Sequence, residues 1–223
     1  MTRPPGWIVL VVLGCLVLGW WLSNPAPSLP PPAAGIESAA GSVRADTSAC
    51  PLPPLVERGA APLQSEVPAS MPALPIKGAT LLPLAGFSVE ARVLGREDYR
   101  MGREADFSPT DLALGWGRMT EDAVLAQLDI SQGGRWYSYR WQRDPPIPVD
   151  EIVRSSANMH MLPAGDAVAA ALRDVDAGDR VRIDGWLVQV NTPDGWRWRS
   201  SLTREDSGGG ACEVVYVCSI TRK

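Results

Sequence analysis

Apolar and polar positions change rhythm three times along the chain. Trp7 to Leu22 reads WIVLVVLGCLVLGWWL, sixteen residues with no charge and no strongly polar side chain. As a helix rising 1.5 Å per residue it spans about 24 Å, somewhat less than a hydrocarbon core of about 30 Å. Trp7 at one end and Trp20–Trp21 at the other suit the two water interfaces. Pro5-Gly6 offers a helix start and Ser23-Asn24-Pro25 a stop. The pattern predicts an N-terminal transmembrane anchor over 1–23.

From Asn24 to Pro83 neither a period of 2 nor one of 3.6 persists. Thirteen of the 21 prolines lie here, with only seven charged side chains. Proline removes an amide donor and fixes φ, so the stretch predicts an extended, disordered Pro/Ala-rich tether over 24–83.

Beyond Leu84 the rhythm becomes that of a folded domain, over 84–223. Phe87 to Val93 alternates apolar and polar, as a half-buried strand does. Ser108-Pro109-Thr110-Asp111 reads as a helix start leading into Leu112-Ala113-Leu114. Thr120-Glu121-Asp122 reads as a second start, with Val124, Leu125 and Leu128 as its buried stripe. Arg135 to Gln142 predicts an aromatic strand with Tyr137, Tyr139 and Trp141 on one face. A short helix over 149–154, an extended segment over 158–162 and a helix over 166–175 follow. Val181, Ile183, Leu187 and Val190 are the expected inward residues of the next strand, which kinks at Asp184-Gly185. Pro193-Asp194-Gly195 turns it back along Trp196 to Ser200, and Cys212 to Ile220 forms the last strand. The expected class is α+β: a small, partly open, antiparallel barrel-like sheet, OB-like or SH3-like, with short helices.

Several phrases carry a resemblance: LALGWG at 112–117, RWYSYRW at 135–141, SANMHM at 156–161, SSLTR at 200–204 and GACE at 210–213. Over Phe87 to Ile220 the chain resembles a family of uncharacterised bacterial membrane-anchored proteins. The resemblance implies a domain boundary and a bacterial envelope setting. It carries no activity and no catalytic residue.

Charge sets the orientation of the anchor and narrows the partners. Arg3 is the only charge before the apolar run and Glu37 the first after it. The positive-inside rule then keeps the N-terminus cytoplasmic and places the domain in the periplasm, as a single-pass inner-membrane protein. A cleaved signal peptide is the alternative, although two tryptophans stand where a small-residue cleavage site belongs. Val12-Leu13-Gly14-Cys15 also resembles a lipobox, but seven more apolar or glycine residues follow the cysteine. The mass of the intact mature protein separates the three. The net charge is −4, and no basic stretch interleaved with aromatics exists to neutralise phosphates, so nucleic acid is not an expected partner. The membrane, through residues 7–22, and a periplasmic protein or cell-wall component are.

Candidate chemistry is sparse. His160 is the sole histidine. With Ser200 or Ser201 and Asp206 it could form a hydrolytic arrangement, the imidazole acting as general base, yet no G-x-S-x-G elbow surrounds either serine. Cys212 and Cys218 on one strand stand about 20 Å apart, while a disulfide needs Cα atoms about 5.5 Å apart. They are therefore expected as buried free thiols, with Cys50 able to reach either one or to bridge two chains. No CxxC, HxxxH, GxGxxG or phosphate-loop spacing occurs, so neither metal nor cofactor is expected. Trp196 and Trp198, alternating with Arg197 and Arg199, either pack into the core or are the binding residues of a non-enzymatic module.

Overall fold

The computed structural model describes residues 50–203 and 212–223. Nine strands occur there: β1 (Leu63–Ser65), β2 (Thr80–Asp98), β3 (Thr110–Gly115), β4 (Asp129–Gly133), β5 (Trp136–Arg140), β6 (Ser156–Pro163), β7 (Arg180–Asn191), β8 (Arg197–Arg199) and β9 (Glu213–Arg222). Three short helices accompany them: α1 (Asp122–Leu125), α2 (Val149–Arg154) and α3 (Asp166–Arg173). The content is mostly sheet with few short helices, consistent with the α+β class.

Seven strands form one sheet in the order β1-β2-β3-β6-β9-β7-β8, and β2 pairs additionally with β7. The sheet therefore curls back on itself and is partly closed. The length of β2 makes this possible. Its residues 80–92 pair with β7, and 92–98 pair with β3. Register shifts at Pro83/Ala85 and Val93/Gly95 bend it between the two ladders. All pairings are antiparallel except β6 with β9. The expected kink in β7 is present: the β7–β9 register shifts between Asp184 and Gly185. A Cβ on Gly185 would stand 2.1 Å from the Tyr216 carbonyl oxygen, so only glycine fits the close approach of these strands.

The concave side holds the main core. Phe87, Val89, Leu112, Leu114, Met159, Met161, Ile183, Leu187 and Val215 interdigitate there, joined by Val168 and Leu172 of α3. A second cluster lies on the opposite side of the sheet, around Trp186, Val188, Val190, Val214 and Tyr216. Val190 thus faces the second cluster, not the main core as expected, because Trp186, Val188 and Val190 alternate away from Leu187. A third, smaller cluster of Met119, Val124, Ile147 and Ile152 supports Tyr139 and Trp141 from the β4–β5 hairpin.

Three further expectations are corrected. Residues 110–115 form strand β3, not a helix. Every position of β3 is buried, so its Leu112-Ala113-Leu114 run reflects burial on both faces and carries no helical period. The Ser108 hydroxyl that looked like a helix cap instead bonds the Thr110 carbonyl at 3.2 Å.

The second correction concerns the tether. Residues 50–79 lie against the domain as a strap, and its stretch 63–65 adds strand β1 to the edge of β2. The sheet supplies what the prolines lack. Trp186 Nε1 donates to the Pro51 carbonyl and the Tyr216 hydroxyl to the Pro75 carbonyl, both at 2.7 Å. Val56 donates its N–H to Ser88 Oγ at 2.8 Å and accepts from Arg182 at 3.0 Å. Cys50 and Leu74 bury into the second cluster, which would otherwise face water. Residues 24–49, like the anchor over 7–22, lie outside the described residues.

The third correction is to the thiols. Cys218 forms a disulfide with Cys50 across a Cα–Cα distance of 5.4 Å. Cys212 keeps its thiol.

Candidate functional site

Register places the site. In the β3–β6 ladder Asp111 stands opposite His160, and Ala113 opposite Asn158. Leu112, Leu114, Met159 and Met161 turn into the main core, so Asp111, Asn158 and His160 fall on the other face by simple alternation. A polar row this deep is unusual: Asp111 is fully buried and His160 is 4 % exposed.

The β4–β5 hairpin folds over this row. Its register closes at Gly133–Trp136, leaving Gly134 and Arg135 as a two-residue turn with φ of 59° and 70°. Both values are positive, as the primed turns of tight hairpins require. Arg135 is the one non-glycine residue in that region among the described residues. Its guanidinium donates to Asp111 Oδ1 at 2.7 Å and lies 3.8 Å from the centroid of the Tyr99 ring. Its backbone N–H donates to the Tyr99 hydroxyl at 2.8 Å, and its carbonyl accepts from Asn158 Nδ2 at 3.1 Å. Burial pushes the Tyr99 phenol above its ordinary pKa, which keeps it a neutral acceptor for that N–H.

Asp111 gathers further partners. Asn158 Nδ2 donates to its Oδ2 at 3.2 Å. His160 Nδ1 lies 3.0 Å from the same oxygen, within ion-pair distance but out of line for a hydrogen bond. On its other side the imidazole packs on Trp198, with ring centroids 4.8 Å apart. The aromatic line continues through Trp196, 6.0 Å from Trp198, to Phe107, and Arg103 sits over Trp196 at 5.5 Å.

These groups enclose a cleft of about 200 Å³. His160, Arg135 and Trp198 line it together with Glu104, Trp136, Arg199 and Cys212. The Cys212 thiol points at the Arg135 carbonyl, 3.8 Å away. Three larger depressions, of about 600, 920 and 260 Å³, lie beside Arg58–Arg180, Trp141–Arg143 and Arg96–Arg100. The first two are lined by no buried polar side chain and the third by Thr110 alone, whose hydroxyl is taken up by Asp98, so the smallest cleft is the better-built site.

The residues singled out from sequence separate here. Trp198 and Arg199 line the cleft and Trp196 adjoins it, whereas Arg197 does not line it. Ser200 Oγ donates to the Ser201 carbonyl at 2.7 Å and accepts from the Val214 N–H at 3.1 Å. Ser201 Oγ exchanges hydrogen bonds with the Thr203 backbone, both at 3.1 Å. Asp206 lies outside the described residues. Sequence reasoning missed Asp111, Arg135, Asn158, Tyr99 and Glu104. Two signals point to two of them: Asn158 alternates with His160 among two methionines, and Arg135 follows Gly133-Gly134 where a tight turn favours glycine.

No group of three metal-binding side chains occurs among the described residues, and no helix among them is long and apolar enough to cross a membrane. Compared with known families, curated proteins and solved structures, the chain matches none.

Proposed function

We propose that this chain is a membrane-tethered envelope protein whose folded domain is a non-enzymatic binding module facing the periplasm, anchored by residues 7–22. The domain is read as an OB-like barrel. The ring β2-β3-β6-β9-β7, the parallel β6–β9 pair and α3 between β6 and β7 support that reading. Barrels of this kind bind on the face of their second and third strands, between neighbouring loops. Here those strands are β3 and β6, flanked by residues 99–109 and by β8.

The observation that carries the proposal is the cleft on that face. An aromatic wall, two guanidinium groups and a histidine meet over a buried polar row, a composition suited to holding a ligand. The test is capture from crosslinked envelopes with the full chain and its Trp198→Ala variant. Recovery of a specific envelope component is expected to fall several-fold in the variant. Equal recovery from both rejects the cleft as the binding surface.

One contact favours a second reading, a hydrolase using His160 with Ser200 or Ser201. Asp111 stands against His160 Nδ1 as an orienting acid would. Against it, both serine hydroxyls bond backbone groups. Ester hydrolysis that disappears in His160→Ala and in one of the two serine-to-alanine variants, Ser200→Ala or Ser201→Ala, would establish this reading instead.

A further inference from the structure

Arg135 occupies a place that glycine would fill more easily. At φ 70° an L-residue sits above its ordinary conformations in energy. The side chain must therefore do something glycine cannot. Part of the answer is the ion pair to Asp111, which pins the hairpin tip over β3 and β6. That pair uses only one arm of the guanidinium. The second arm, Nη2, is enclosed and has no hydrogen-bond partner. A buried donor without an acceptor is costly, more so when charged, so an oxygen arriving there gains unusually much.

The surroundings define which oxygen. A guanidinium arm with free donors fits the planar geometry of a carboxylate. Arg199 on the rim adds a second positive charge, and His160 adds an imidazole whose Nδ1 is held by no hydrogen bond. Glu104 on the lining and Asp111 beneath disfavour a dianion such as phosphate. Glu104 can instead accept from a hydroxyl or amide N–H on the same ligand. Trp198 offers a flat apolar wall for the ring or chain that carries the acid. About 200 Å³ accommodates one such unit. Trp136, 44 % exposed on the rim, is the side chain free to turn aside on entry.

We propose that the cleft binds a single carboxylate group on the Arg135 guanidinium, with Trp198 packed against the hydroxyl- or amide-bearing unit that presents it. This rests on the binding-module reading above and names the ligand chemistry for it. Sugar acids and free peptide C-termini share that chemistry.

The test uses the full chain in detergent, isotopically labelled, with the Trp198 indole signal identified by its absence in Trp198→Phe. D-glucuronate and N-acetylalanine are titrated beside their neutral amides. Each acid that binds is expected to shift the signal with at least about tenfold higher affinity than its amide, and Arg135→Lys to abolish that preference. The acid that binds more tightly identifies the source. Amides that bind as well as the acids overturn the proposal while leaving a binding cleft in place. No shift with either acid also overturns it, and the Trp198→Ala capture experiment then decides separately whether the cleft binds anything. The acid–amide comparison on the unaltered chain stands even if Arg135→Lys does not fold.

Discussion

At the scale of single residues, Arg135 balances two opposed energies. Its backbone is strained, while its side chain offsets a carboxyl that is wholly buried. Removing one member of a buried ion pair costs about 3–5 kcal/mol, since the other stays behind without its partner. Arg135→Ala is expected to lose stability on that scale in urea unfolding. Arg135→Gly, which removes the same side chain but accepts φ 70°, is expected to lose about 1 kcal/mol less. Equal losses would mean that the turn is not strained. This site was half legible in the sequence. His160 stood out as the sole histidine, and Trp198 as part of an alternating Trp/Arg strand. Asp111 was hidden, because a single acid beside Leu-Ala-Leu reads as a helix's first turn until the neighbouring strands are known. Its pairing with Arg135 spans 24 positions and rests on tertiary geometry alone.

At the scale of elements, aromatic composition found β5, the Pro-Asp-Gly turn placed β8, and period-2 alternation found the middle of β2 and the start of β7, where one face is covered more than the other. It failed for β3, whose two faces are equally buried. It failed again for the strap, where order comes from side chains of the sheet reaching proline carbonyls and leaves no period in the strap itself. Tyr216 is one of those side chains, and its titration provides a test. Burial raises its phenol to about 12, so the neutral form that donates to Pro75 is favoured by folding. The unfolded chain titrates near 10. The contribution is therefore complete below about pH 10 and is lost as pH rises from there through about 12. Tyr216→Phe is expected to be less stable at neutral pH by about 1 kcal/mol, the worth of one hydrogen bond. Its stability should also fall less steeply between pH 10 and 12. A variant whose alkaline slope equals that of the unaltered protein would show that Tyr216 does not carry this dependence.

At the scale of the whole molecule, the class was legible and the extent of the domain was not. Proline content marked 24–83 as one segment, yet the described part of it, from Cys50 on, belongs to the fold. What decides this is a bond between residues 168 positions apart, which no local pattern announces. Closing so long a loop removes much of the freedom of the unfolded chain. The double variant Cys50→Ser/Cys218→Ser is expected to lose about 2–5 kcal/mol against the oxidised protein. Its strap amides, Val56 among them, should exchange hydrogen faster than those of β9. Unchanged stability would show that the packing of the strap suffices without the bond.

The same bond determines where a mechanical load would go. A pull arriving at Cys50 from the N-terminal side crosses to Cys218 and enters β9, which is flanked by the parallel ladder to β6 and the antiparallel ladder to β7. Residues 51–79 lie outside that path and carry no tension. Without the bond the same pull would peel the strap away one hydrogen bond at a time, starting at Pro51. With it, the pull must shear a central strand against two neighbours at once. His160 of β6, the next element along that path, lines the cleft, so the ligand face adjoins the part of the fold that bears the load.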